Sequence, residues 1–143
     1  MKIKSIAPAI IAASLALTGC AKAPRQEDVR LAALRAELDS ATTTLDMTEK
    51  ANAIGQYLDQ KMSGVEALVR AEMRDDESRD LFDRAAVAWR EYRQAHAELA
   101  YSLYGDGSMR GLAFNFAFNK LTEDRLRDLQ ELRPEEGPGG GAE

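Results

Sequence analysis

One histidine, His96, and one cysteine, Cys20, are all the imidazole and thiol chemistry this sequence holds. A histidine general base needs a partner it can activate, and no serine or threonine is placed by sequence to be activated by His96. His96 falls on an apolar helical stripe, which reads as a residue at the edge of a core. No His, Cys, Asp or Glu group has metal-ligand spacing, so no metal or other cofactor is expected. Asp75, Asp76 and Glu77 lie together, but in a polar turn with nothing apolar to raise a carboxyl pKa; they read as solvated. Gly105-Asp106-Gly107-Ser108 lacks the spacing and the lysine of a phosphate loop. A helix N-terminus at Ser108 would attract a carboxylate or phosphate weakly. A plain interhelical turn accounts for the same residues. The pieces favour a binding protein over an enzyme.

Cys20 has a different chemistry available. Lys2 and Lys4 begin the chain, and Ile6 to Leu17 form an apolar run of 12 residues. A permanent membrane span needs about 20, so this run has the length of an export-signal core. It ends in Leu17-Thr18-Gly19-Cys20, which resembles a bacterial lipobox. The resemblance implies cleavage before Cys20, with residues 1–19 as signal peptide, and diacylglycerol on the cysteine. Acyl chains contribute about 0.8 kcal/mol per buried methylene, so several chains hold a small domain at a bilayer. Ala21 follows, and by resemblance to Gram-negative lipoproteins the absence of Asp there implies the periplasmic face of the outer membrane.

Losing Lys2 and Lys4 with the leader takes 19 basic residues to 17 against 24 acidic ones, moving the net charge from −5 to −7. An acidic chain has no clustered positive charge to hold nucleic acid. Acidity suits a basic partner or simple solubility. With Cys20 the only cysteine, no disulfide forms within a monomer, and the core must hold without one.

The elements that carry these residues are helical throughout. Residues 20–26 form a short lipidated tether, and residues 134–143, rich in Gly, Pro and Glu, are expected to be disordered. Between them, over residues 27–133, there is no proline, while Ala, Leu, Arg and Glu dominate. The pattern predicts an all-α fold: a small antiparallel bundle of three to four helices with a long second helix and a C-terminal helical hairpin. A first helix fits Glu27 to Leu38. A second fits Thr44 to Met73, with Met47, Ala51, Ile54, Leu58, Met62, Val65 and Val69 along one face. Thr43 and Asp46 resemble a capping box at its start, and Gly55 and Gly64 interrupt its pattern. A third helix fits Glu77 to Tyr104, with a stripe of Phe82, Ala85, Trp89, Tyr92, His96, Leu99 and Leu103. Gly105 to Gly107 ends it, Ser108 is placed to cap the next, and a fourth fits Met109 to Leu132 with Leu121, Leu126, Leu129 and Leu132 in its second half. The short connection makes helices three and four an antiparallel hairpin.

On helix three the residues meet a known pattern. Ala88-Trp89-Arg90-Glu91-Tyr92-Arg93, then Gly107-Ser108, then Leu121-Thr122-Glu123-Asp124-Arg125 resemble the LprI-type lysozyme inhibitor domain. Thr43-Thr44-Leu45-Asp46-Met47 followed by Ala51 is similar to a segment of its N-terminal half, and Asp59 falls near its usual acidic position. The similarity covers roughly residues 38 to 132. Members usually carry four cysteines; here the matching positions hold Leu38, Lys50, His96 and Ala117, a loss coherent with two disulfides that vanished as pairs.

The resemblance implies an envelope lipoprotein that inserts a loop or helix end into the cleft of a basic lysozyme-type hydrolase. The acidic turn at Asp75 to Glu77 and the Gly105 to Ser108 turn are the candidate inserts. It implies structural roles for the motif residues: Trp89 and Tyr92 pinning helix three, Arg93 and Arg125 pairing with carboxylates across the hairpin, Thr122 capping or kinking the last helix. The alternative is a structural or adaptor lipoprotein that binds another envelope protein and no lysozyme.

Overall fold

The computed structural model describes residues 28–133; the leader, Cys20, the tether and the C-terminal tail lie outside the described residues. Four helices follow one another: α1 Val29–Asp39, α2 Thr44–Glu72, α3 Asp76–Leu103 and α4 Arg110–Leu132. Each of the first three starts on a side chain that accepts an otherwise orphaned backbone N–H. Asp28 accepts from Leu31, Thr43 from Asp46, and Asp75 from Ser78. Asp46 turns outward from the cap to Lys50, 3.2 Å away, so only the Thr43 half of the capping box is used.

The directions of the helices follow from who meets whom. Asn115 donates to the Thr48 carbonyl at 3.0 Å, Asn119 to the Ala51 carbonyl at 2.8 Å, and Arg133 pairs with Glu72 at 3.0 Å. Residue numbers rise together, so α2 and α4 run parallel. Across α2 and α3 they run oppositely: Asp59 meets Arg93, Glu66 meets Arg90, and Arg70 meets Asp83. The antiparallel pairing expected of α3 and α4 is present, and α1 folds back along α2.

α2 is one unbroken helix despite its glycines. A Cβ at Gly55 would stand 2.7 Å from the Asn119 amide oxygen, so glycine there lets α4 approach. Gly64 meets nothing within 4 Å. A mid-helix glycine costs about 0.5–1 kcal/mol relative to alanine. Gly64→Ala should therefore raise stability by about that much in urea unfolding, while Gly55→Ala, which forces a hydrogen-bonded buried amide aside, should lower it.

The core is Leu34, Ile54, Leu58, Met62, Val69, Phe82, Leu126 and Leu129. Burying each large side chain contributes about 1.5–3 kcal/mol. The whole predicted face of α2 points inward: five of its seven positions are buried, and Met47 and Val65 are half-buried. In α4, Leu126 and Leu129 are buried, Leu121 is half-buried, and Leu132 is exposed. Among the described residues no helix is long and apolar enough to cross a membrane.

α1 is tied to α4 by an exposed Arg35–Glu123 ion pair at 2.8 Å and to α2 by a more buried polar clamp. Asp28 accepts from Tyr57 Oη at 2.8 Å and pairs with Lys61, both on α2. The Lys61 ammonium, with the Leu31 N–H and the Tyr57 hydroxyl, outweighs desolvation and holds the Asp28 carboxyl at about 2. Its folded pKa lies below the unfolded 3.8, so the stabilisation is present above 3.8 and lost as pH falls toward 2. Solvent screening leaves about 1 kcal/mol of it. Asp28→Asn should loosen α1 at neutral pH by that amount, read as faster amide exchange in α1, and should flatten the dependence between pH 4 and 2.

Candidate functional site

α3 does not present the face that its apolar residues suggest. Its buried positions are Phe82, Ala86, Arg93 and Ala97, with Trp89 half-buried among them. Tyr92 is 54% exposed, Leu99 55% and Leu103 75%, and His96 is exposed beside Tyr92, ring centroids 5.8 Å apart. So Trp89 pins the helix as expected, but Tyr92 does not, and His96 is not at a core edge. The reason is Arg93. It takes an inward position that a stripe drawn through apolar residues alone, Phe82 to Leu103 by way of Tyr92 and His96, leaves out. It is 7% exposed.

Arg93 is buried with partners at Nη1 and on both faces of its guanidinium, while its Nε has no hydrogen-bond partner among the described residues. Asp59 on α2 takes one side of it. Its Nη1 donates to Thr122 Oγ1 on α4 at 2.9 Å. The guanidinium lies 3.8 Å from the Phe118 ring centroid and 4.8 Å from that of Trp89. A planar cation can bond at its edge while aromatic rings cover its faces. Thr122 in turn donates to the Phe118 carbonyl at 2.8 Å, so its hydroxyl ties α4 to Arg93 rather than capping the helix. The carboxylate of Arg93 comes from α2, not from across the α3–α4 hairpin. Arg125 has no carboxylate partner among the described residues; it lies 5.8 Å from the Trp89 ring centroid. Trp89, Arg93, Thr122, Asp59 and Phe118 thus form one knot joining three helices.

The family-matched segments of α3 and α4 meet in this knot. It is an architectural centre, and the surfaces it positions are the two turns. They sit at opposite ends of α3, which at 28 residues is about 42 Å long, so one copy cannot place both in one cleft.

The two turns differ in what they leave free. At the first, Asp75 accepts from the Ser78 N–H at 2.7 Å and the Ser78 hydroxyl at 3.0 Å, bonds that lower its pKa. Asp76 pairs with Arg79 at 2.6 Å, and Arg79 also donates to the Met73 carbonyl. Much of this charge is engaged in starting α3. At the second, Gly105 takes φ +56°, a conformation glycine adopts without strain. Ser108 does not cap α4: Met109 holds that position with no side-chain cap bond. Leu103, Tyr104 and Met109 are exposed around Asp106, whose carboxylate is fully in solvent 3.5 Å from Arg110. This tip offers apolar and aromatic surface around a solvated carboxylate.

The positions matching the family's cysteines are Leu38 and Ala117, half-buried, exposed His96, and Lys50, paired with Asp46. Sequence reasoning missed Phe118, Asn119 and Glu66. Counting from Phe82 in steps of four and three reaches Ala86, Trp89, Arg93 and Ala97, so the true stripe was legible once an arginine was allowed inside it.

The family model described as lysozyme inhibitor LprI aligns with residues 35–129 of the chain. No curated protein and no solved structure matches the chain.

Proposed function

Because this chain belongs to the LprI lysozyme inhibitor family, we propose that it binds and blocks a basic lysozyme-type hydrolase from a lipid anchor on Cys20. The observation that carries this reading is the extent of the family match, which spans all of α2 and α3 and most of α4, with both turns between them. The contact is made by the α3–α4 tip, where Leu103, Tyr104 and Met109 are exposed around Asp106. Apolar and aromatic side chains at a projecting tip are the kind that anchor interfaces. The acidic balance of the chain accelerates encounter with a basic partner more than it tightens the complex. The protein is no enzyme in this reading; it acts by occupying a cleft. Its place is the periplasmic face of the outer membrane.

The test is a titration of residues 21–143, which carry all four helices, into a c-type lysozyme while cell-wall lysis is followed at two salt concentrations. Stoichiometric inhibition that slows in onset at higher salt is expected. A well-folded fragment that leaves lysis untouched at both concentrations would remove c-type lysozyme as the target. The adaptor reading would then take its place.

A further inference from the structure

We propose that the cavity between α2 and α3 binds an alkyl-guanidinium group, taken up by Glu66. Three ion pairs cross from α2 to α3: Asp59–Arg93, Glu66–Arg90 and Arg70–Asp83. Between the second and the third lies a cavity of about 270 Å³, with Phe82, Ala86 and Val87 as its apolar wall. Drug-sized ligands need roughly 300–1,000 Å³, so this cavity has room for a single extended side chain. Glu66 lines it, and the Glu66 side chain is 9% exposed. Arg90 donates from Nη2 to the Glu66 Oε2. The Glu66 Oε1 is closed off from solvent and has no hydrogen-bond partner among the described residues. A buried acceptor left unpaired is costly, more so on a charged group.

The Glu66–Arg90 pair selects the ligand. Glu66 is held through one oxygen, whereas a guanidinium can bond both oxygens of a carboxylate as a fork. The Arg90 side chain is 42% exposed, so it can turn into water and yield its place. An incoming guanidinium then replaces a one-point bond with a two-point bond and satisfies Oε1, while its alkyl stem covers Phe82, Ala86 and Val87. An ammonium is a single point of charge and lacks that fork. The other cations at the mouth are already neutralised: Arg70 by both oxygens of Asp83, at 2.9 and 3.1 Å, and Arg84 by Asp80 at 2.9 Å. A second depression continues past Asp83 and Val87 to Glu91, which has no ion-pair partner among the described residues. The acceptors left over, Glu66 Oε1 and the Glu91 carboxylate, both favour a cation. A free guanidinium compound and an arginine side chain of a partner protein share this chemistry, and the site rests on Glu66 whether or not the chain blocks a lysozyme.

The test is a titration of residues 21–143 with n-butylguanidinium, followed through the Ala86 and Val87 methyl resonances, with n-butylurea as the uncharged match. Saturable binding with a Kd of about 1–10 mM is expected for the guanidinium, and binding at least about tenfold weaker for the urea. Glu66→Gln should weaken guanidinium binding at least about tenfold. Ala86→Leu, which fills the cavity and keeps Glu66, gives the same loss should Glu66→Gln fail to fold. No saturation below about 50 mM overturns the proposal. Shifts that survive Glu66→Gln show adventitious pairing with surface carboxylates only and overturn it as well. Lysozyme inhibition then separates the two sources. Inhibition weakened at least about tenfold by Glu66→Gln assigns the group to an arginine of the hydrolase. Inhibition unchanged while probe binding is lost assigns it to a free guanidinium compound. A chain that binds the probe and inhibits no lysozyme keeps this site and loses the inhibitor reading.

Discussion

Asp59→Ala is expected to cost the bundle about 3 kcal/mol, and adding Arg93→Met should recover part of that loss. The asymmetry follows from where the two charges sit. The Arg93 side chain is 8% exposed and that of Asp59 is 42% exposed. Removing the carboxylate leaves a guanidinium out of water without its counter-ion, and such uncompensated buried charges cost about 3–5 kcal/mol. The Phe118 and Trp89 rings and the Thr122 hydroxyl retain some of its stabilisation, which sets the figure at the lower end.

Removing the cation is the milder change. Asp59 can regain water, and the methionine stem fills much of the channel between the rings. Thr122 still donates to the Phe118 carbonyl, so no hydroxyl is stranded. Arg93→Met should therefore cost about 1–2 kcal/mol. Thermal unfolding followed at 222 nm resolves the difference, at roughly 5 °C per kcal/mol. Asp59→Ala within 1 kcal/mol of the parent, or Arg93→Met worse than Asp59→Ala, would show that the knot does not depend on this ion pair.

The second large effect is on binding. Leu103→Ser combined with Tyr104→Ala should weaken lysozyme inhibition by at least about thirtyfold, the consequence of losing one or two anchoring side chains. Both residues are more than half exposed, so the melting temperature should barely move; surface changes usually stay within about 0.5 kcal/mol. Inhibition constant and thermal stability measured on the same preparation separate contact from folding. Unchanged inhibition would discard the tip as the insert. Loss on replacing Asp75, Asp76 and Glu77 with serine, and not on the tip variant, would move the insert to the other end of α3.

Helix type and extent were readable because they depend on local chemistry. The chain has no proline from the tether to the tail, and Thr43 and Asp75 stand at helix starts. The apolar steps of α2 place its buried face, and the Trp-x-x-Tyr-Arg and Leu-Thr-x-x-Arg segments identify the family that the match over residues 35–129 establishes. The face of α3 was not readable in the same way. Two apolar stripes lie on that helix, and local periodicity cannot say which one a neighbour will cover. A charged residue inside a stripe counts as polar in any sequence pattern. Whether it can be buried depends on groups 34 residues before it and 29 after it.

The sequence by itself determined four helices, their order, the inward face of α2 and the family, all consequences of backbone propensity, capping and short-range periodicity. Only the tertiary structure decided that Arg93 lies inside and Tyr92 and His96 outside. An arginine is buried where a carboxylate, a hydroxyl and two aromatic rings from other helices converge on it. That convergence exists only after α2, α3 and α4 have packed.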